Sequence, residues 1–300
     1  MDKYRYSHGV ESICEVLQVA PLGYRRHAAR LRNPELRCVR AKQDEFLLPL
    51  IYQVWQSNMQ VYGADKVWHQ LNREGIAVAR CTVERLMRRL GLKGVRRGKV
   101  VRTTIGDAEA AYPLDRVNRQ FKADRSNQSW VSDFTYVLTW QGWQYVSFVI
   151  DVYARRIVGW RVSSSMRTDF VLDALEQALY ERQQDANALI HYSDKGSQYV
   201  SILYTERLAQ AGIATSVGSR GDSYDNALVE TFNKLYKTEL IHRRGLWKTK
   251  DSLELATLEW VAWFNHHHRL LAPVGHIPPA EAEANYRRQL AEKPKGPVSL

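Results

Sequence analysis

The sequence predicts two folds in tandem: an all-α region containing a helix–turn–helix, then an α/β domain built on a mixed five-stranded sheet with flanking helices. Three observations predict this. Near residue 127 the hydrophobic period changes from helical spacing to alternation. The segments beyond it run strand, strand, strand, helix, strand, helix, strand, helix, an order that calls for a mixed sheet. Charge divides at the same place: residues 1–126 hold 24 Lys/Arg against 13 Asp/Glu, whereas residues 127–300 hold 19 of each. The net +11 of the 300-residue chain therefore belongs to its first two fifths, which directs that part toward a polyanion.

Residues 1–60 read as basic helical pieces. Val10, Ile13, Val16 and Leu17 form a short amphipathic stretch that Pro21 and Gly23 are expected to break; Tyr24–Arg32 follows, and a longer helix is predicted over about Asp44–Ser57. Residues 61–97 form the helix–turn–helix region, with one helix over Ala64–Glu74 stopped by Gly75 and a second over Arg80–Leu90 capped by Gly91. The second helix turns Val83, Leu86, Met87 and Leu90 inward. Outward, and along its continuation, lie Arg80, Arg85, Arg88, Arg89, Lys93, Arg96 and Arg97, then Lys99 and Arg102, a density of positive charge that suits DNA phosphates.

Residues 98–126 have the composition of a linker. Trp130–Leu138 and Trp143–Asp151 then alternate β-branched and aromatic residues around Gln141-Gly142, a hairpin signal. Further strands are predicted at Ile157–Val162, Ala188–Tyr192 and Ile213–Val217, with helices at Asp169–Arg182, Tyr199–Ala211 and about Asn226–His242. Residues 127–245 make up this α/β core, and residues 246–300 a helical extension in which Trp260, Trp263 and Phe264 are core residues.

Several classes are excluded. Cys14, Cys38 and Cys81 are odd in number and in no CxxC spacing, which rules out a disulfide framework or a thiolate zinc site. Charges interrupt Met1–Arg30, so no secretory leader is expected. The longest uncharged run, Phe134–Ile150, is interrupted by polar residues and a turn and does not read as a membrane span.

Three acids fall in informative places. Asp133 lies inside the first strand, where a charge is costly unless paired or metal-bound. A buried salt bridge to an arginine is the competing explanation. Asp194 follows the fourth strand, at the edge where ligands of open α/β sheets bind. Glu230 lies in the first turns of the last helix. Converging carboxylates suit Mg²⁺, and two such ions about 4 Å apart can serve a phosphodiester displacement. Asn226, Asn233, Lys234 and Lys237 share a helical face with Glu230 and are candidate DNA contacts. Asp225 is expected to cap that helix, and Asp151 is the rival ligand. His191 reads as a structural imidazole, while Ser197 and Gln198 are expected to open the helix that follows.

Between Asp194 and Glu230 lie 35 residues. With Asp133 this resembles the D,D(35)E signature of retroviral integrases and bacterial transposases, with Lys237 seven residues beyond the glutamate. VSDFTY (131–136), HYSDKGSQYVS (191–201), GDSYDNALVETFNKLYKTEL (221–240), YGADKVWHQLNREGI (62–76) and WFNHHHRLLAPVGHIPPAEAE (263–283) resemble the transposases of the insertion-sequence-three (IS-three) family, in particular the second-frame product, OrfB. The resemblance implies an RNase H-like fold for the α/β domain. It implies Asp133, Asp194 and Glu230 as catalytic ligands of two Mg²⁺ ions, with Mn²⁺ as a substitute. It further implies metal-dependent DNA strand cleavage and 3′-OH transfer on double-stranded DNA, a homo-oligomer in the DNA complex, the first-frame product OrfA as fusion or partner, and a place in the bacterial cytoplasm at the nucleoid. Two alternatives stay open on the sequence: a catalytically inactive DNA-binding regulator from a decayed element, and a nuclease of the same fold that cuts without joining.

Overall fold

The structure is a computed structural model; it describes residues 3–96, 123–182, 189–193, 198–217, 227–267 and 274–292. Two compact units divide the chain between Gly94 and Val95.

In the first unit, short helices α1 (Arg5–His8), α2 (Val10–Val16) and α3 (Pro21–Arg32) precede α4 (Val39–Ser57), α5 (Ala64–Arg73) and α6 (Arg80–Arg89). Pro21 opens α3 rather than breaking a helix, because at the first helical position its missing N–H has no partner to lose. Helix α4 begins five residues before the predicted start and tolerates Pro49 in its interior. It supplies Leu47, Ile51 and Val54 to a core shared with Val67 and Leu71 of α5 and Val83, Leu86 and Met87 of α6. The turn between α5 and α6 is held by Trp68, whose indole N–H donates to the Val78 carbonyl at 2.7 Å. Gly75 and Gly91, at φ 82° and 70°, end the two helices in the left-handed conformation that favours glycine.

In the second unit, β1 (Ser129–Thr139), β2 (Gly142–Asp151), β3 (Arg156–Ser163), β4 (Ile190–Ser193) and β5 (Ala214–Val217) form one sheet in the order β3-β2-β1-β4-β5. β1–β2 and β2–β3 are antiparallel; β1–β4 and β4–β5 are parallel. This is the mixed sheet that the segment order predicts. Helices α7 (Thr168–Arg182) and α8 (Ile202–Gln210) cover one face, packing Phe170, Leu175, Tyr204 and Leu208 against Trp130 and Val149. Helix α7 approaches β3 so closely that a Cβ on Gly159 would fall on the Ala174 carbonyl oxygen, which accounts for glycine there.

The opposite face carries α9 (Ala227–Tyr236) and α11 (Lys250–Ala262), with the single turn α10 (His242–Arg244) between them. Its core is a nest of edge-to-face aromatic rings: Phe148 meets Phe232, Tyr236 and Trp260 at 5.3, 5.1 and 6.2 Å, and Phe232 meets Phe264 at 5.2 Å. The last helix, α12 (Pro279–Glu292), follows. Where the sequence predicts one helix over Asn226–His242, the α-helical pattern yields to a π-helical turn at Lys237–Ile241. A second such turn, Trp263–His267, follows α11. Among the described residues, no helix is long and apolar enough to cross a membrane.

Candidate active site

Alternation along β1 puts Val131, Asp133 and Thr135 on the sheet face covered by α9, and Ser132 and Phe134 on the face covered by α7 and α8. Asp133 is half-buried beside Phe148 of β2. One carboxylate oxygen accepts the Phe134 backbone N–H at 2.8 Å, and the other accepts the side-chain amide of Asn233 at 2.9 Å. That second bond joins α9 to β1. Asn233 is one turn beyond Glu230 on α9, so the contact brings the helix face bearing Glu230 over the strand bearing Asp133. Glu230 is exposed and holds Lys234 Nζ at 3.0 Å.

Asp194 lies outside the described residues, as do Asn226, Asp225, Ser197 and Arg97. The described part of β4 ends at Ser193, whose partner across the parallel ladder is Ser132, the residue before Asp133.

Several of the expected DNA contacts have partners within the protein. Asn233 is buried and turned to Asp133, since a residue three positions on from Glu230 faces the strand once α9 packs on β1. Lys237 sits where the π-helical turn begins; its ammonium lies 4.6 Å from the centre of the Tyr136 ring. Burial lowers its pKa from the usual lysine value, against the opposing pull of the Asp133 charge. On the first unit, Arg85 is not outward: it forms a two-pronged ion pair with Asp44 of α4, at 2.7 and 2.6 Å, tying α6 to α4. The guanidinium in turn holds Asp44 below its ordinary pKa. Arg80, Arg88, Arg89, Lys93 and Arg96 are exposed, with Arg88 3.3 Å from Glu84 on its own helix.

The rival acid, Asp151, is a structural residue. It is 0% exposed at the end of β2 and accepts the backbone N–H groups of Asn127 and Tyr153, each at 2.9 Å. Ser126 Oγ lies 3.2 Å from it and 2.8 Å from Glu283 of α12. Burial pushes the Asp151 carboxyl up, and its N–H donors and Arg182 pull the other way. Glu283, itself 1% exposed, is bonded by Arg182 and, at 2.7 Å, by Arg156. Burial alone would raise its pKa; the two guanidiniums hold it down at about 2. This network docks α12 and carries no free ligand set. No local sequence signal marks it, because its members lie as far as 157 residues apart.

His191 is structural, as its strand position suggests. Its Nε2 meets Ser132 Oγ at 2.8 Å and the Tyr204 hydroxyl at 3.1 Å, on the sheet face opposite Asp133. Full burial pushes its pKa down to about 4, so the ring is neutral at pH 7. Gln198 does not open α8. Ser201 caps that helix, and the Gln198 amide donates to the Met166 carbonyl at 3.2 Å.

The donor chemistry at the site fits a hard divalent cation. Asp133 and Glu230 carry the hard oxygen donors such an ion takes, and the Asn233 side-chain oxygen is buried with no hydrogen-bond partner among the described residues. No set of three acidic, histidine or cysteine ligands is complete among the described residues.

Comparison with known proteins identifies the family. An integrase core domain matches residues 123–223, a second integrase core domain matches residues 211–270, and an HTH-like domain matches residues 42–100. The chain is 56% identical over 286 residues to the transposase for insertion sequence element IS629 of Shigella sonnei, covering 95% of each chain. It is 54% identical over 277 residues to the putative transposase for IS986/IS6110 of Mycobacterium tuberculosis, covering 91% of this chain and 98% of that one. Transposase InsF for insertion sequence IS3A of Escherichia coli is 30% identical over 243 residues, covering 81% and 83%. A simian T-cell lymphotropic virus intasome in complex with a PP2A regulatory subunit superposes with TM-score 0.46 at 14% identity, over 78% of this chain and 73% of that one. The HTLV-2 integrase catalytic core solved with magnesium superposes with TM-score 0.41 at 16% identity, over 53% and 97%. The chain belongs to the IS-three family of insertion-sequence transposases, DNA-binding enzymes of the integrase superfamily that cleave and join DNA strands.

Proposed function

We propose that Asp133, Asp194 and Glu230 are the catalytic carboxylates of this transposase and the ligands of two Mg²⁺ ions, with Mn²⁺ able to substitute. The observation that supports the reading is the Asn233–Asp133 hydrogen bond, which ties to β1 the helix that carries Glu230 one turn before Asn233. When bound, the two ions supply activation of the attacking oxygen, first water and then the DNA 3′-OH, and stabilisation of the leaving 3′ oxygen. Asp133 and Glu230 hold negative charge where the cations are needed. Asn233 fixes the Asp133 carboxylate and adds a neutral oxygen beside it. Lys234 balances Glu230 until metal and phosphate arrive, and Lys237 meets the DNA phosphate beside the reacting one.

We assign residues 61–97 as the helix–turn–helix region, 98–126 as linker, 127–245 as the catalytic core and 246–300 as a helical extension, after the basic helices of residues 1–60. Arg80, Arg88, Arg89, Lys93, Arg96 and Arg97 grip the phosphates of element ends or target. The working complex is a homo-oligomer on double-stranded DNA at the nucleoid, and OrfA joins it as fusion or partner.

The test is Asp133→Asn assayed for nicking and joining of end DNA in Mg²⁺. Loss of both products with DNA affinity retained supports the assignment, whereas a variant that still cleaves refutes it. Recovery of joined products from the unmodified protein separates a transposase from an enzyme that only nicks.

A further inference from the structure

The described β1–β4 ladder covers Ser129–Ser132, and near its far end β1 is joined by a parallel bridge from Thr139 to Trp247. The hairpin runs on past the cover of α7 and presents Tyr136, Leu138 and Trp143 on one face and Trp140 at its tip, with exposures of 55, 60, 51 and 67%. Four large apolar side chains in one exposed cluster are unusual on a soluble surface. The hairpin tip is tied to the segment that leads into α11. The Trp140 N–H donates to the Trp247 carbonyl at 2.9 Å, the Lys250 N–H donates to the Gln141 side chain at 2.9 Å, and Tyr136 meets Trp143 edge-to-face at 5.2 Å. Two cations already sit on these rings, Lys237 over Tyr136 at 4.6 Å and Lys248 over Trp140 at 5.5 Å.

We propose that Tyr136, Trp143 and Trp140, at the far end of the β1–β2 hairpin on the sheet face opposite Asp133, form a stacking platform for unpaired DNA bases, with Lys237 and Lys248 holding the intervening phosphates. Aromatic faces interleaved with lysines recognise single strands, because an unpaired base offers its flat face whereas a duplex offers only edges to a side chain. Lys237 makes the connection: it begins the π-helical turn that continues α9, the helix carrying Glu230, and its ammonium lies over the Tyr136 ring. The platform thus takes nucleotides once they leave the duplex. This rests on Glu230 belonging to the reaction centre.

The experiment is fluorescence anisotropy on the full chain without metal, at raised salt to weaken phosphate contacts. The probes are a labelled single-stranded oligothymidylate and a blunt duplex of equal length. Trp143→Ala and Tyr136→Ala are each expected to weaken single-strand binding about tenfold and leave duplex binding unchanged, with Trp143→Phe retaining most of the affinity. Unchanged single-strand affinity in both alanine variants overturns the platform. So does an equal loss on both probes, or a change from oligomer to monomer by light scattering, which assigns the rings to contact with a second copy. Because metal is absent, these results do not depend on the Asp133→Asn cleavage assay, and either reading can fail alone.

Discussion

Asp133 and Asp151 stand on neighbouring strands of one hairpin, and their surroundings differ in kind. Asp133 is half-buried, and an amide side chain and one backbone N–H hold it. Asp151 is sealed from solvent, with two backbone N–H groups, Ser126 and the Arg182–Glu283 pair around it. A buried carboxylate so provided for has no role left but cohesion. Asp133 stays near the surface, on the sheet face that α9 covers. The difference separates a carboxylate near the surface from one enclosed by the fold, on two aspartates of the same hairpin.

The largest expected contrast comes from the isosteric amides. Asp133→Asn should bring strand cleavage and joining to background, a loss of about a hundredfold or more, while the melting temperature stays within a few degrees. Glu283→Gln should do the reverse. It leaves Arg156 and Arg182 buried beside a neutral group, at a cost of about 3–5 kcal/mol read by urea denaturation, with DNA cleavage by the folded fraction preserved. If Glu283→Gln is as stable as the parent, α12 is not docked by this network.

Asn233→Ala tests the joint between the two acids. It should weaken metal affinity about 10–100-fold, read by Mg²⁺ titration of cleavage, and Asn233→Gln should not restore it because the longer side chain overshoots Asp133. The two carboxylates of the network also differ with pH. Glu283 sits at about 2 in the fold against an ordinary value of 4.5, so its contribution is complete above the unfolded value and fades as pH falls toward 2. Asp151, pushed up by burial, works in the opposite sense and favours the fold as it protonates. The stability difference between parent and Glu283→Gln should therefore shrink steadily on acidification below about pH 5. A gap that stays constant to pH 3 excludes the ionic contribution. The smallest effect belongs to Lys234→Ala. Its exposed pair with Glu230 should be worth less than about 1 kcal/mol of stability, so any change is expected in the KM for DNA.

Much of this was legible in the chain. Alternation in Trp130–Leu138 and Trp143–Asp151 located β1 and β2 to within a residue or so, because the pleat writes itself into the side-chain pattern. The odd place of Asp133 among apolar neighbours marked it at once. Asn233 was visible as part of the Glu230 face, but its partner was not, since a helix face does not say what it packs against. The π-helical turn at Lys237 was hidden for a related reason: a one-residue change of winding leaves the composition unaltered. Arg85 read as one more outward arginine until Asp44, 41 residues away, claimed it.

What the sequence determined by itself was local or arithmetical: the split of charge at residue 126, the order of strands and helices, the hairpin turn at Gly142, and the spacing of 35 residues between Asp194 and Glu230. Propensity, periodicity and counting act over a few residues, so they survive without coordinates. The tertiary structure decided which charges are enclosed and which stay near the surface. It placed Asp133 under Asn233, enclosed Asp151 with Arg182 and Glu283, and left Tyr136 and Trp143 exposed on the β1–β2 hairpin. Desolvation and pairing depend on neighbours brought from distant parts of the chain, and only folding supplies them.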